Sequence, residues 1–246
     1  MIIAVCNQKG GVGKTATAQA IATGAARIGR RSLAIDLDPQ SNLTFSMGCN
    51  SADVDTLDFM AGLYPRGHAI QHTAQGDIIA SSNRLAAADT IFIGEERGTM
   101  LDYHLDEIKK RYDVITIDCP PALNILLVNA LMAADTVIIP ITADMYALQG
   151  LYQLKQSIQD AQKRNARLKI GGAVFTRHST RTVLARDLTD VIKDKCRALG
   201  IPVYNTTIRE GVAIREAQTQ RMSIFDYAPR SNPAKDYMQL IEEIGL

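Results

Sequence analysis

Seven consecutive residues carry most of the chemistry available to this chain. Lys9-Gly10-Gly11-Val12-Gly13-Lys14-Thr15 follows directly on the apolar run Ile2-Ile3-Ala4-Val5-Cys6, which places a glycine-rich turn at the end of a first strand. Glycines let the backbone curl until successive N–H groups point inward at an anion, and a helix starting there adds the positive end of its dipole. The spacing predicts a phosphate cradle built from Lys9, Gly10, Gly11, Val12, Gly13, Lys14, Thr15 and Ala16. In it the Lys14 ammonium reaches the β and γ phosphates of a nucleotide and the Thr15 hydroxyl ligates Mg2+. The ordinary loop carries a glycine six residues before the lysine; here that position is Gln8, and a second lysine, Lys9, stands beside it. Acids complete the set. Asp36-Leu37-Asp38 ends an apolar run with two carboxylates that point to the same side of an extended chain, toward the phosphate loop if the two strands are neighbours. Asp113-Val114-Ile115-Thr116-Ile117-Asp118 is a Walker B pattern, an apolar strand delivering one acid to a nucleotide-bound Mg2+. A lone aspartate at a strand end is usually a cap or turn residue, but acids accompanying a phosphate loop predict metal and water roles.

The elements that must position these groups are legible as apolar runs. Ile2 to Cys6, Ser32 to Asp36, Asp77 to Ala80, Asp113 to Asp118, Thr136 to Ile141, Ile170 to Thr176 and Val203 to Ile208 read as strands, several of them apolar throughout, the mark of a parallel sheet covered on both faces. Helical patterns lie between them: Gly13 to Ile28, Thr99 to Lys110, Ile125 to Ala133, Ala147 to Arg164, Val183 to Leu199 and Ala234 to Ile244. Strands alternating with helices imply right-handed crossovers and a doubly wound, mostly parallel α/β sheet flanked by helices. Ligands of such sheets bind at the carboxyl ends of the strands, and the phosphate loop, Asp36, Asp38 and Asp118 all fall there.

The chain has 246 residues, which suits one α/β domain spanning residues 1–246. Its N-terminus enters a strand at once, which leaves no room for an N-terminal helix-turn-helix and shows no leader, and no apolar run is long enough to span a bilayer. Cys6, Cys49, Cys119 and Cys196 lie far apart without a C-x-x-C, which fits a reducing, cytoplasmic compartment and excludes zinc or iron–sulfur spacing. The net charge of +1 hides an asymmetry: residues 161–221 carry 13 Lys and Arg against 5 Asp and Glu. Folded, such a stretch makes either solvated helix faces or a surface that attracts polyanions.

Lys9-Gly10-Gly11-Val12-Gly13-Lys14-Thr15 resembles the deviant Walker A motif of the ParA/MinD superfamily, and the resemblance extends along most of the chain. Asp36-Leu37-Asp38-Pro39-Gln40-Ser41-Asn42-Leu43-Thr44, Asp118-Cys119-Pro120-Pro121 and Tyr146-Ala147-Leu148-Gln149-Gly150 each look like family segments. Thr207-Ile208-Arg209-Glu210-Gly211-Val212, with Glu216-Ala217 and Tyr227-Ala228-Pro229-Arg230-Ser231, is similar to the stretch that holds adenine and closes the fold in ParA/Soj proteins. The resemblance implies an ATPase with ATP and Mg2+, Ile208 and Arg209 beside the base, and Lys9, Lys14 and Asp38 as catalytic groups. Asp38 then orients the attacking water at a Mg2+ site of Thr15, Asp38 and Asp118, and Lys9 contacts nucleotide across an ATP-sandwich homodimer. It further implies a partition ATPase, cytoplasmic and nucleoid-associated, whose dimer binds DNA nonspecifically and whose hydrolysis a ParB-like partner stimulates. Arg181 matches the arginine that relatives use for DNA, and Lys163, Arg164, Arg177, Arg186 and Arg215 join it as candidate DNA-binding residues. Two positions depart from the pattern: Gly211 stands where asparagine is common, and Ala213 where many relatives carry a DNA-linked arginine. Alternatives are a positioner of a non-DNA cargo, a MinD-like membrane-cycling ATPase, which the acidic end Ile241-Glu242-Glu243-Ile244 disfavours, and a biosynthetic or redox enzyme on the same scaffold.

Overall fold

The computed structural model describes residues 1–49, 53–144, 147–179 and 183–246. Within them the strands are β1 (Ile2–Val5), β2 (Ser32–Asp36), β3 (Ile70–Thr73), β4 (Gly76–Ile79), β5 (Val114–Asp118), β6 (Thr136–Ile141), β7 (Lys169–His178) and β8 (Val203–Arg209). They form one sheet in the order β3-β4-β2-β5-β1-β6-β7-β8. Every pairing is parallel except the β3–β4 hairpin at one edge. The helices are α1 (Lys14–Arg27), α2 (Asn42–Ser46), α3 (Thr56–Ala61), α4 (Ala88–Ile91), α5 (Met100–Leu105), α6 (Ile125–Ala133), α7 (Ala147–Gln162), α8 (Val183–Ala198), α9 (Val212–Thr219), α10 (Ile224–Tyr227) and α11 (Asn232–Ile244). None of the described helices is long and apolar enough to cross a membrane.

Continuous apolar strands feed two cores because successive side chains leave opposite faces of the sheet. Ile2, Ala4, Leu33, Ile35, Ile115 and Ile117 join α3, α5, α6 and α7 on one face. Ile3, Val5, Ala34, Val114 and Ile138 join α1, α10 and α11 on the other. Cys6, Cys49, Cys119 and Cys196 are all buried.

The expected doubly wound sheet is the observed one, with local differences. The Ile70–Thr73 strand escaped the apolar criterion because only one of its four residues is strongly apolar and its side chains are half-buried or exposed at an edge. Where a single helix was expected over Thr99 to Lys110, α5 stops at Leu105 and a 3-10 turn follows at Ile108–Lys110. Leu101, Leu105 and Ile108 are nevertheless all buried, so the helical spacing of the apolar residues is preserved across the break.

Candidate active site

The carboxyl ends of the central strands open onto a cavity of about 530 Å3. Its lining comprises Gly10, Gly11, Gly13, Lys14, Thr15 and Ala16 of the loop and the start of α1; Asp38, Gln40, Asn42, Phe45 and Ser46 after β2; Pro121 after β5; and Thr176, Arg177, Ile208, Glu210, Gly211, Ile214, Arg215, Gln218 and Tyr237 from β7, β8, α9 and α11 with the turn between β8 and α9. Gly11 and Gly13 have φ of 74° and 81°, the left-handed region where a Cβ is strained, and Gly13 is the N-cap of α1. Asn7 anchors the entry to the loop: its Nδ2 donates to Pro140 O at 2.7 Å and its Oδ1 accepts from Lys9 N at 3.0 Å. Val12 is buried under the loop. The two lysines diverge. Lys14 Nζ folds over the loop to donate to Lys9 O at 3.1 Å, whereas the Lys9 ammonium turns away to pair with Asp144 on the β6–α7 connection.

Burial pulls the Lys14 ammonium below the ordinary lysine range, against the opposing charges of Asp118 and Asp38. Asp118 is completely buried and neither carboxylate oxygen has a hydrogen-bond partner. Burial raises its carboxyl well above the ordinary range and the nearby Asp36 charge adds to the rise, while the Thr15 hydroxyl and Lys14 act in the opposite direction. A buried, unpartnered carboxylate beside a lysine and a threonine hydroxyl is the hard-oxygen surrounding that suits Mg2+. No group of three or more His, Cys, Asp or Glu side chains among the described residues could hold a metal by itself.

The two carboxylates of Asp36-Leu37-Asp38 divide. The neighbour condition fails, since β5 lies between β1 and β2. Asp36 is fully buried and accepts from Thr44 N at 2.8 Å, Thr44 Oγ1 at 2.7 Å and Asp38 N at 3.0 Å. Burial pushes its carboxyl up to about 6 despite those hydrogen bonds. It is a buttress for α2. Asp38, past the strand end, is in the cavity wall, where its Oδ1 accepts from Gln40 N at 3.0 Å.

Ile208 lines the cavity, but the Arg209 side chain does not. Its guanidinium and backbone N–H are taken by Asp236 of α11 at 2.6–3.2 Å. The arginine expected beside a base instead ties β8 to α11. Gly211 has its reason in the same packing: a Cβ there would stand 2.8 Å from Pro233 Cγ, so a side chain at this position crowds α11.

Among the described residues, the candidate polyanion groups fall at both ends of the sheet. Lys163 and Arg164 are exposed after the end of α7, at the sheet end opposite the cavity, where Lys163 pairs with Asp160 at 2.6 Å. Arg186 is exposed in the first turn of α8, while Arg177 and Arg215 line the cavity. Arg181 lies outside the described residues. Sequence reasoning missed Phe45, Thr176, Ile214, Gln218 and Tyr237 as cavity residues. Phe45, Ile214 and Gln218 lie on the short helices α2 and α9, Thr176 near the carboxyl end of β7 and Tyr237 on α11, places that the residue types alone do not mark.

A family model described as an AAA domain matches residues 1–170. The chain is 37% identical over 250 residues to the sporulation initiation inhibitor protein Soj of Bacillus subtilis (strain 168), covering 99% of this chain and 98% of that protein. It is 36% identical over 242 residues to the chromosome-partitioning ATPase Soj of Treponema pallidum (strain Nichols), covering 97% and 94%. Among solved structures, cobyrinic acid a,c-diamide synthase from Mycobacterium smegmatis with bound ADP and magnesium superposes with a TM-score of 0.86 at 30% identity, covering 98% of this chain and 92% of that one.

Proposed function

We propose, for a chain that belongs to the ParA/Soj family of ATPases, a DNA-partition cycle in which ATP pairs two copies, the pair holds DNA, and hydrolysis releases it. The protein is an ATPase and takes ATP with Mg2+, as the ADP- and magnesium-bound relative does. The triphosphate lies along the cavity with its phosphates in the Gly10–Thr15 loop, where converging N–H groups and the Lys14 ammonium neutralise them. Thr15, Asp38 and Asp118 are the residues that would hold Mg2+, which when bound neutralises charge on the phosphate oxygens. Asp38, in the wall facing the loop, orients the attacking water, and Ile208 packs against the base. Phosphoryl transfer needs positioning and charge neutralisation more than covalent chemistry, and these residues supply both.

One observation carries the paired state. Lys14 caps its own loop, while the Lys9 ammonium pairs with Asp144; on this reading the second lysine exchanges that carboxylate for a nucleotide in a second copy. The exposed basic groups, Arg186 and the Lys163–Arg164 pair, then contact DNA backbone without reading bases, together with Arg181, and a ParB-like partner stimulates turnover. Pairing doubles the neutralised phosphates, so affinity and its salt dependence both rise.

The test is mobility-shift binding to unrelated duplexes with ATP, ADP or no nucleotide over a salt series. The reading expects ATP-dependent, sequence-indifferent binding that weakens steeply with salt and is lost in Arg186→Glu. Equal binding in all three nucleotide states, or none in any, overturns the DNA cycle and favours a non-DNA cargo.

A further inference from the structure

Two of the arginines named beside Arg181 as DNA candidates, Arg177 and Arg215, line the nucleotide cavity, and Arg177 is the more constrained of the two. The residue before it is bolted to the phosphate loop: Thr176 Oγ1 donates to Val12 O at 2.7 Å and to Ile141 O at 3.1 Å. The Thr176 side chain also faces Gly13, where an added Cβ would lie 3.7 Å from Thr176 Cβ. Immediately after this anchor Arg177 takes a φ of 49°. Only glycine occupies that region freely, and other residues held there concentrate at binding sites, where the surroundings fix them. Its guanidinium pairs with Glu210 at 3.2 Å, and both side chains are half-exposed. A screened pair of this kind is weak. Glu210 lines the same cavity, so the pair stands at the rim of the space a triphosphate would fill.

We propose that Arg177 is a nucleotide ligand: when ATP enters, its guanidinium leaves Glu210 for the phosphate chain. The planar fork matches phosphate oxygens, and a triphosphate is a far stronger anion than one solvated carboxylate. The left-handed backbone follows directly on Thr176, which is tied to the loop, and Glu210 holds the guanidinium at the cavity in the meantime. This rests on the reading of the cavity as the ATP site.

The test measures Mg-ATP affinity by calorimetry for the wild type, Arg177→Gly, Arg177→Lys and Glu210→Gln, with thermal unfolding of each and DNA binding at saturating ATP. Arg177→Gly relieves the backbone and should keep or raise the unfolding midpoint. Its ATP affinity should nevertheless fall about tenfold or more, the size of one charge-assisted contact. Arg177→Lys should recover part of the loss. Glu210→Gln, which frees the guanidinium, should bind ATP more tightly, and DNA binding of the ATP-saturated variants should persist. An Arg177→Gly variant within about twofold of wild-type ATP affinity overturns the proposal, and loss of DNA binding at unchanged ATP affinity returns Arg177 to DNA. A wild type that fails to bind ATP instead removes the assignment of the cavity itself, a different failure.

Discussion

Asp36 and Asp38 are two residues apart, of one chemical type, and in different employment. Asp36 spends both oxygens on the start of the sheet-to-α2 turn, accepting from Thr44 twice and from Asp38 N. Asp38 keeps its carboxylate at the cavity wall with one backbone donor, Gln40 N. Replacing them should therefore separate stability from turnover. Asp36→Ala leaves the Thr44 N–H and hydroxyl unpaired in the interior, each a loss of about 1–3 kcal/mol, and should lower the unfolding midpoint by several degrees. Asp38→Ala should leave the midpoint nearly unchanged and preserve ATP binding while turnover stalls. Thermal unfolding, calorimetry and phosphate release measured on the same two variants decide the matter: a destabilised Asp38→Ala that still hydrolyses ATP at the parent rate contradicts the division. Asp118 shows the complementary case, a fully buried carboxylate whose charge is favoured by Thr15 and Lys14 against the cost of burial, a surrounding that suits a cation delivered with the substrate.

At the scale of elements, the β8–α9 turn and the start of α11 are one packed unit, joined by the Arg209–Asp236 pair and by the contact of Gly211 with the Pro233 ring. Gly211→Ala inserts a methyl 2.8 Å from Pro233 Cγ, and a ring cannot rotate aside as a flexible side chain can. The substitution should destabilise by about 1–3 kcal/mol, and Pro233→Ala should relieve much of that penalty, giving a coupling above about 0.5 kcal/mol in a double-mutant cycle by chemical denaturation. Additive effects would show that the two elements are not in contact there. This unit also marks where the sequence stopped being readable. The central strands announce themselves because burial on both faces makes them apolar at every position, as in Val114–Asp118, and the phosphate loop does so because its glycines and lysines have few other uses. α9 brings Ile214, Arg215 and Gln218 to the cavity, yet buries only Ala217. In an eight-residue helix the three packed positions Ala213, Ile214 and Ala217 make a stripe too short and too weakly apolar to stand out. α2 and α10, of five and four residues, are too short to show a period. The order of strands was equally silent: neither Asp36 nor Ile115 reveals that β5 separates β1 from β2, and so the shared orientation expected of Asp36 and Asp38 could not be resolved into its two roles. Charge counting carries no position, because a stretch that begins at the end of α7, runs up β7 and down α8 places Lys163 and Arg164 at one end of the sheet and Arg177 at the other.

For the whole molecule, the proposed cycle turns on whether one cation is used by its own subunit or by the next. Two copies facing each other across their cavities form a closed, two-fold arrangement in which each contributes the same groups, so Lys9 of each must leave Asp144 to reach the opposite nucleotide. The exchange trades a partly exposed ion pair, of small worth in water, for contact with a triphosphate from which water is excluded, where the same charge counts for more. ATP should therefore pair the chains, whereas a nucleotide without the γ-phosphate should not hold them together. Asp38→Ala, by stalling hydrolysis, should accumulate the pair on a sizing column with light scattering in Mg-ATP. Adding Lys9→Ala to Asp38→Ala should return it to a single copy, although Lys14 and the loop glycines remain and calorimetry still registers ATP. Each measurement isolates one half of the argument, since binding reports the loop and mass reports the exchange. A double variant that binds ATP and elutes as a stable pair would show that the two copies are held by something other than Lys9, and the sandwich arrangement would have to be abandoned.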